Sequence, residues 1–244
     1  MLAHINLYNL LFIDIETVPE YSSWQQLSPA MQALWAIKHQ TLRAENETPE
    51  EGYLKRAGVY AEFAKVVCIS IGYFRLEKTT GKKIFRLKSF AGDDESLVLS
   101  QFAALLDRSF NDADLYCFCG HNIKEFDVPF LCRRMVIHHI NLPNLMDTSG
   151  KKPWEVRDVD TLHLWRFGDF KNYTSLKLLA EVLGIPTPKD DIDGKDVCRV
   201  YWQEKNLERI TTYCQKDVVT VARLLMRLKG EADYLADEDV LLIT

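Results

Sequence analysis

No stretch of the 244-residue chain approaches the roughly 18 consecutive apolar residues that a membrane-spanning helix requires, which excludes such a span from the reading. The opening residues, MLAHINLYNL, lack the charged start and small-residue cleavage site of a secretory signal, so a cytoplasmic location is the expectation. Cysteine is present but unorganised. Cys68, Cys117, Cys119, Cys132, Cys198 and Cys214 form no CxxC pair and no regular framework, which argues for buried thiols rather than a disulfide scaffold. Positive charge is not in excess either: 30 Lys and Arg against 35 Asp and Glu leave a net charge of −5. That balance argues against a protein that coats nucleic acid by neutralising many phosphates. Internal repeats and low-complexity segments are also missing. What is there is an ordinary globular composition, 47% hydrophobic, enough to fill a sizeable core.

Residues 7–18 form a nearly continuous apolar run broken only by Asp14 and Glu16, with the length and Ile/Val/Phe content of a strand buried on both faces. Residues 20–65 change to helical character: Ser28-Pro29 and Thr48-Pro49-Glu50-Glu51 each put a capping residue before proline, the second as a capping box. This stretch reads as a helical insertion after the first strand. Residues 66–76 and 83–90, joined through Thr79-Thr80-Gly81, form a hairpin. A capped helix over about 94–110, a strand over 115–119, a helix over 124–139 and a fifth strand over 156–164 follow. Helical stretches near 174–183, 194–203 and 206–229 complete the chain. The βα alternation predicts an α/β protein, a mixed five-stranded sheet flanked by helices, in one domain over 1–244 that contains the insertion.

Three features carry chemistry. On a strand, residues two apart share a face, so Asp14 and Glu16 present paired carboxylates within an apolar segment, where lone acids would cost several kcal/mol. The D-x-E spacing arises by chance about once in a chain of this size, and Asp93-x-Glu95 reads as a solvated helix start. The second feature is GHNIKEFDVPF, residues 120–130, in which Asp127 opens a helix after a short strand; acids there also serve merely to complement the helix dipole. His121 beside it reads as a hydrogen-bonded structural residue. The third is Tyr213-Cys214-Gln215-Lys216-Asp217, where i, i+4 spacing puts Tyr213 and Asp217 on one helix face, at the edge of an apolar stripe.

In order and context these features resemble the tyrosine-bearing branch of the DEDD exonuclease superfamily. Asp14-Ile15-Glu16-Thr17 is similar to its first motif, Asn122 to Asp127 to its second (N-x-x-x-F-D), and Tyr213 to Asp217 to its third (Y-x-x-x-D). The histidine branch would need His where Thr212 stands. GHNIKEFDVPFL and YCQKDV are similar to the proofreading exonuclease domains of family B DNA polymerases; no polymerase domain follows here, so a free-standing form is expected. The resemblance implies a ribonuclease H-like fold and a 3′-5′ exonuclease acting on DNA, in single-stranded form, or an RNA exonuclease of the ribonuclease D or oligoribonuclease type. A catalytically silent nucleic-acid-binding module on the same fold is the other class of alternative.

Phosphodiester hydrolysis by two divalent cations needs hard oxygen ligands, which select Mg²⁺ or Mn²⁺. The resemblance assigns both ions to Asp14, Glu16, Asp127 and Asp217, with Asp14 bridging, and counts no thiol among the ligands. It gives Tyr213 the orientation of the attacking water, and places Thr17 and Asn122 against the terminal nucleotide. An acidic chain is compatible with this, because the carboxylates await metal. The loop Gly150-Lys151-Lys152-Pro153-Trp154, with two cations and an aromatic ring, and Lys171, Lys177 and Lys195 are further candidate strand contacts.

Overall fold

The structure is a computed structural model and describes residues 2–42, 46–169, 171, 173–186, 192–231 and 234–243. Strand β1 (Leu10–Pro19) pairs antiparallel with β2 (Ala64–Leu76), which pairs antiparallel with β3 (Lys83–Ala91). Beyond β1 on its other edge lie two parallel strands, β4 (Cys117–Gly120) and β5 (Val159–Asp160). The expected mixed sheet is therefore present, but it has six strands rather than five, ordered β5-β4-β1-β2-β3-β6. The added strand, β6 (Val240–Leu242), pairs parallel with β3 at its outer edge. Three residues are too few to show a period of two.

Helices cover both faces of the sheet. Leu11, Ile13 and Ile15 of β1 enter one core with α3 (Glu95–Ser109) and α4 (Asp127–Ile137), while Leu10 and Phe12 enter the other with α8 (Leu207–Lys229). Burial on both faces explains the unbroken apolar run. The alternation also decides where the acids go: Asp14 and Glu16 share the parity of Phe12 and so face α8, which carries Tyr213 and Asp217. A register shift between Glu16 and Thr17 marks a bulge just past the pair, a common device beside active sites.

The insertion is helical as expected. α1 (Pro29–Thr41) starts at Ser28, whose side chain accepts from the Met31 amide, and α2 (Pro49–Arg56) starts at the Thr48/Glu51 capping box. Trp35, Tyr53, Ala57 and Phe63 give it a small core of its own. The expected fifth strand over 156–164 is corrected: it stops after two residues, because the Asp160 side chain accepts from the Leu162 and His163 amides and starts α5 (Thr161–Arg166) instead. α6 (Leu176–Val182) and α7 (Val197–Arg199), which runs into a π-turn over Val200–Glu204, complete the path to α8. Among the described residues no helix is long and apolar enough to cross a membrane.

Gly120 closes β4 where it meets both β1 and the loop that leads to Asp127. A Cβ there would stand 2.0 Å from Ile123 Cγ2 and 2.9 Å from the backbone oxygen of Ile13. Neither neighbour is the free end of a flexible side chain. Gly120→Ala is expected to destabilise the fold by about 1–3 kcal/mol, the usual cost of overpacking. Urea denaturation measures it, and an unchanged midpoint would contradict the close approach.

Candidate active site

Asp14 and Glu16 sit on β1 with α8 above them. β4 ends at Gly120, so β1 residues beyond Phe12 have no partner on that edge. The free Ile15 amide instead donates to Asp127 Oδ1 at 3.2 Å, which draws the first turn of α4 onto the strand between the two acids. From α8, Tyr213 hydrogen-bonds to Asp217, and Asp217 contributes the largest charge effect on both Asp14 and Glu16. A cleft of about 620 Å³ opens over this floor, and all seven residues expected from the sequence line it: Asp14, Glu16, Thr17, Asn122, Asp127, Tyr213 and Asp217.

The electrostatics are those of a site short of positive charge. Burial, together with the charges of Asp217, Glu16 and Asp127, pushes the Asp14 carboxyl well above the ordinary carboxylate range. Glu16 is raised in the same way, by burial first and then by Asp217. Burial pushes Asp127 up to about 7 despite hydrogen bonds from backbone amides, with Asp160 and Asp217 adding to the rise. Asp14 Oδ2 is buried and has no hydrogen-bond partner among the described residues. Buried polar atoms are ordinarily paired, so this oxygen and its three acidic neighbours fit a divalent cation.

Cys214 qualifies the expectation that no thiol is offered. Its Sγ lies within 4.8 Å of carboxylate oxygens of both Asp14 and Glu16. However, burial raises this thiol well above its ordinary range, and it donates to the Asp14 backbone oxygen at 3.3 Å. A soft sulfur is not the donor that Mg²⁺ or Mn²⁺ selects, so the carboxylates are the donor set that suits such an ion.

The substrate-side residues divide. The Thr17 hydroxyl donates to Gly58 O at 2.7 Å and so ties the insertion to β1; its proton is committed there rather than to a substrate. Asn122 takes a left-handed conformation (φ 66°), which asparagine tolerates, with its backbone amide held by Asp160 and its side-chain Oδ1 buried and unpartnered among the described residues. His121 is structural: Nε2 donates to Thr174 O at 2.8 Å, Nδ1 lies 3.0 Å from Thr161 Oγ1, and burial pushes its pKa down. The Gly150–Trp154 loop does not reach the cleft; Lys151 and Trp154 line a separate groove with Lys124 and Glu125. Lys195 does line the cleft, whereas Lys171 and Lys177 do not. Sequence reasoning missed Asp160, whose two oxygens accept the Asn122 and Lys124 amides and fix the loop before Asp127. It also missed Tyr173, Lys55 and Arg56, which line the cleft without any motif to mark them.

A mixed sheet with carboxylates on its central strand and on helices either side defines an α/β protein of the ribonuclease H-like class. The chain aligns with the family B DNA polymerase from the hyperthermophilic archaeon Pyrobaculum calidifontis at a TM-score of 0.51 and 16% identity, over 89% of this chain and 24% of the polymerase. It thus spans about a quarter of that enzyme. Residues 59–240 match the family described as "Predicted 3'-5' exonuclease related to the exonuclease domain of PolB", and the chain belongs to that family. No curated protein sequence matches the chain. The family match begins after Asp14 and Glu16, so the first acidic pair rests on the geometry above.

Proposed function

We propose that the protein is a metal-dependent 3′-5′ exonuclease that removes nucleotides from the 3′ end of DNA, in single-stranded form. The observation that carries this is the convergence of Asp14, Glu16, Asp127 and Asp217 at the floor of one cleft, with a buried unpaired oxygen on Asp14. These four residues would hold two divalent cations, Mg²⁺ or Mn²⁺, as their all-oxygen chemistry favours. When bound, such ions neutralise charge at the phosphate, lower the pKa of water and stabilise the leaving oxygen. The chain's own groups do the rest. Asn122 and the backbone at the Glu16–Thr17 bulge line the same cleft and would meet the terminal nucleotide. A cleft of about 620 Å³ is of small-molecule size, which suits a single unpaired terminal nucleotide better than a duplex.

Tyr213 acts by position. Burial and the neighbouring acids raise its phenol above the ordinary value, so it stays protonated at neutral pH and donates toward Asp217. Tyr213→Phe is therefore expected to lower kcat by about 10–100-fold, the size of one lost positioning hydrogen bond, and to leave the shape of the pH–rate profile unchanged. A rising limb that vanishes in the variant would make the phenol a base instead.

The reading is tested with 3′- and 5′-labelled DNA and RNA oligonucleotides in Mg²⁺ or Mn²⁺. Stepwise release of mononucleotides from the 3′ end, abolished by chelator, is the expected result. RNA degraded faster than DNA would overturn the substrate assignment, and absence of metal-dependent cleavage would overturn the reading itself.

A further inference from the structure

We infer that the end of α2 is a phosphate-binding arm, in which Lys55 and Arg56 grip the backbone of the nucleic-acid strand upstream of its 3′ terminus. The inference rests on the exonuclease reading and assigns a subsite in the insertion, which lies outside the matched family region apart from its last residues. Lys55, Arg56, Gly58 and Val59 form a wall of the same cleft whose floor carries Asp14 and Glu16.

The wall is held firmly. Thr17 Oγ1 bonds Gly58 O at 2.7 Å, Trp35 Nε1 bonds Pro49 O at 2.7 Å, and the Trp35 ring packs edge-on against Tyr53 and Phe63. The arm therefore stands at a fixed place relative to the carboxylates. Its charge is arranged to face outward. Glu47 accepts from Lys55 Nζ at 3.1 Å and from Arg56 Nε at 2.6 Å, with His39 Nε2 3.1 Å away. The Glu47 side chain is 11% exposed, against 65% for Lys55 and 43% for Arg56. One recessed carboxylate thus anchors two permanent cations and leaves one positive charge in excess at the rim. Only Nε of Arg56 bonds protein among the described residues, so the two Nη nitrogens keep the fork that matches phosphate oxygens. Glu50 and Glu51 of the same helix are engaged by Gln25 and Thr48 at its other end and do not line the cleft.

A floor of four acids repels a polyanion until cations occupy it. Rim cations that meet the following phosphates supply the attraction that the floor cannot. Lys195, 78% exposed and 3.7 Å from Asp193, flanks the cleft from the 194–198 segment and adds to the same field.

The test compares wild type with Lys55→Gln/Arg56→Gln, and with Arg75→Gln/Lys78→Gln, which removes equal charge from a separate groove. Affinity for a 5′-labelled single strand of about 12 nucleotides is measured by anisotropy in Ca²⁺ over a KCl series, beside Mg²⁺-dependent hydrolysis of that strand and of a dinucleotide. Each single-strand phosphate contact contributes about 0.7 to the slope of log K against log salt. The arm variant is expected to flatten that slope by about 1.4, and to lose more kcat/KM on the long strand than on the dinucleotide; the control should keep the wild-type slope. Hydrolysis by wild type with an unchanged slope in the arm variant, or equal flattening in both variants, would overturn the arm alone. A wild type that hydrolyses neither substrate would overturn the exonuclease reading, and the arm with it.

Discussion

Asp14→Asn is expected to lower kcat by about three orders of magnitude or more, ~4 kcal/mol of barrier, while making the metal-free protein more stable than wild type. Both effects come from the same charge. Asp14 lies at the centre of the site: Glu16 shares its strand face, Asp127 bonds the amide next to it and Asp217 faces it from α8. If a metal binds as proposed, its unpaired oxygen would be one of the ligands, with the other acids around it. Without metal, it is a buried carboxyl crowded by three others, whose charges and burial disfavour its ionised form. Asparagine keeps the volume but not the charge, so it removes a ligand and relieves repulsion together. Single-turnover cleavage and thermal unfolding in chelator give the two readouts. Near wild-type turnover, or a lower melting temperature without metal, would sink the assignment.

The same charges set the pH dependence of the metal-free fold. Asp127 is raised from the ordinary carboxylate value of 3.8 to about 7, so the folded state binds the proton more tightly than the unfolded chain. For an acid shifted upward, folding is penalised once the unfolded form ionises, and the penalty is complete above the folded pKa. Stability in chelator should therefore fall as pH rises from about 4 to about 7, then level off as far as this group is concerned. Mg²⁺ should abolish the fall by binding only the folded site.

Much of this site was legible because its residues obey short periods. Two apart on a strand put Asp14 and Glu16 on one face, four apart on a helix put Tyr213 over Asp217, and both faces are those the structure uses. Ser28-Pro29 and Thr48-Pro49 announced the insertion helices by local hydrogen bonding alone. What stayed hidden depends on contacts distant in sequence. Asp160 looks like one more strand residue until its oxygens are seen to collect amides from 122, 124, 162 and 163. The cleft's cationic rim belongs to a segment with no motif. Glu95 misled the reading most: taken as a solvated helix start beside Asp93, it is 5% exposed and sits under α4.

That burial identifies the second large effect, a loss of about 3–5 kcal/mol of stability in Arg134→Ala. Arg134 is 4% exposed, and its guanidinium donates through Nε to Glu95 Oε1 at 2.9 Å and makes a second, short contact from Nη2 to Glu95 Oε2. Its remaining donors reach Ala61 O and Glu20 Oε2, each at 2.9 Å. Glu95 in turn accepts the Val66 amide at 2.7 Å and lies 2.7 Å from His138 Nε2. One cation thus joins α3, α4, the start of β2 and both ends of the insertion. Removing it leaves the Glu95 carboxyl buried and without its strongest partner, and that unpaired group is what makes the single change costly. If so, removing both partners should cost less than the sum of the single losses: Arg134→Met/Glu95→Leu should show coupling of about 1–3 kcal/mol against Arg134→Met and Glu95→Leu. The site should feel it too, since Asp127 opens the same helix seven residues earlier and α4 is held against β2 by this network. Weaker binding of Mg²⁺ in Arg134→Met, measured calorimetrically at a temperature where the variant is still folded, is the functional counterpart. Additive single losses in urea denaturation, or a loss under about 1 kcal/mol in Arg134→Ala, would show that the buried charges are not held by one another.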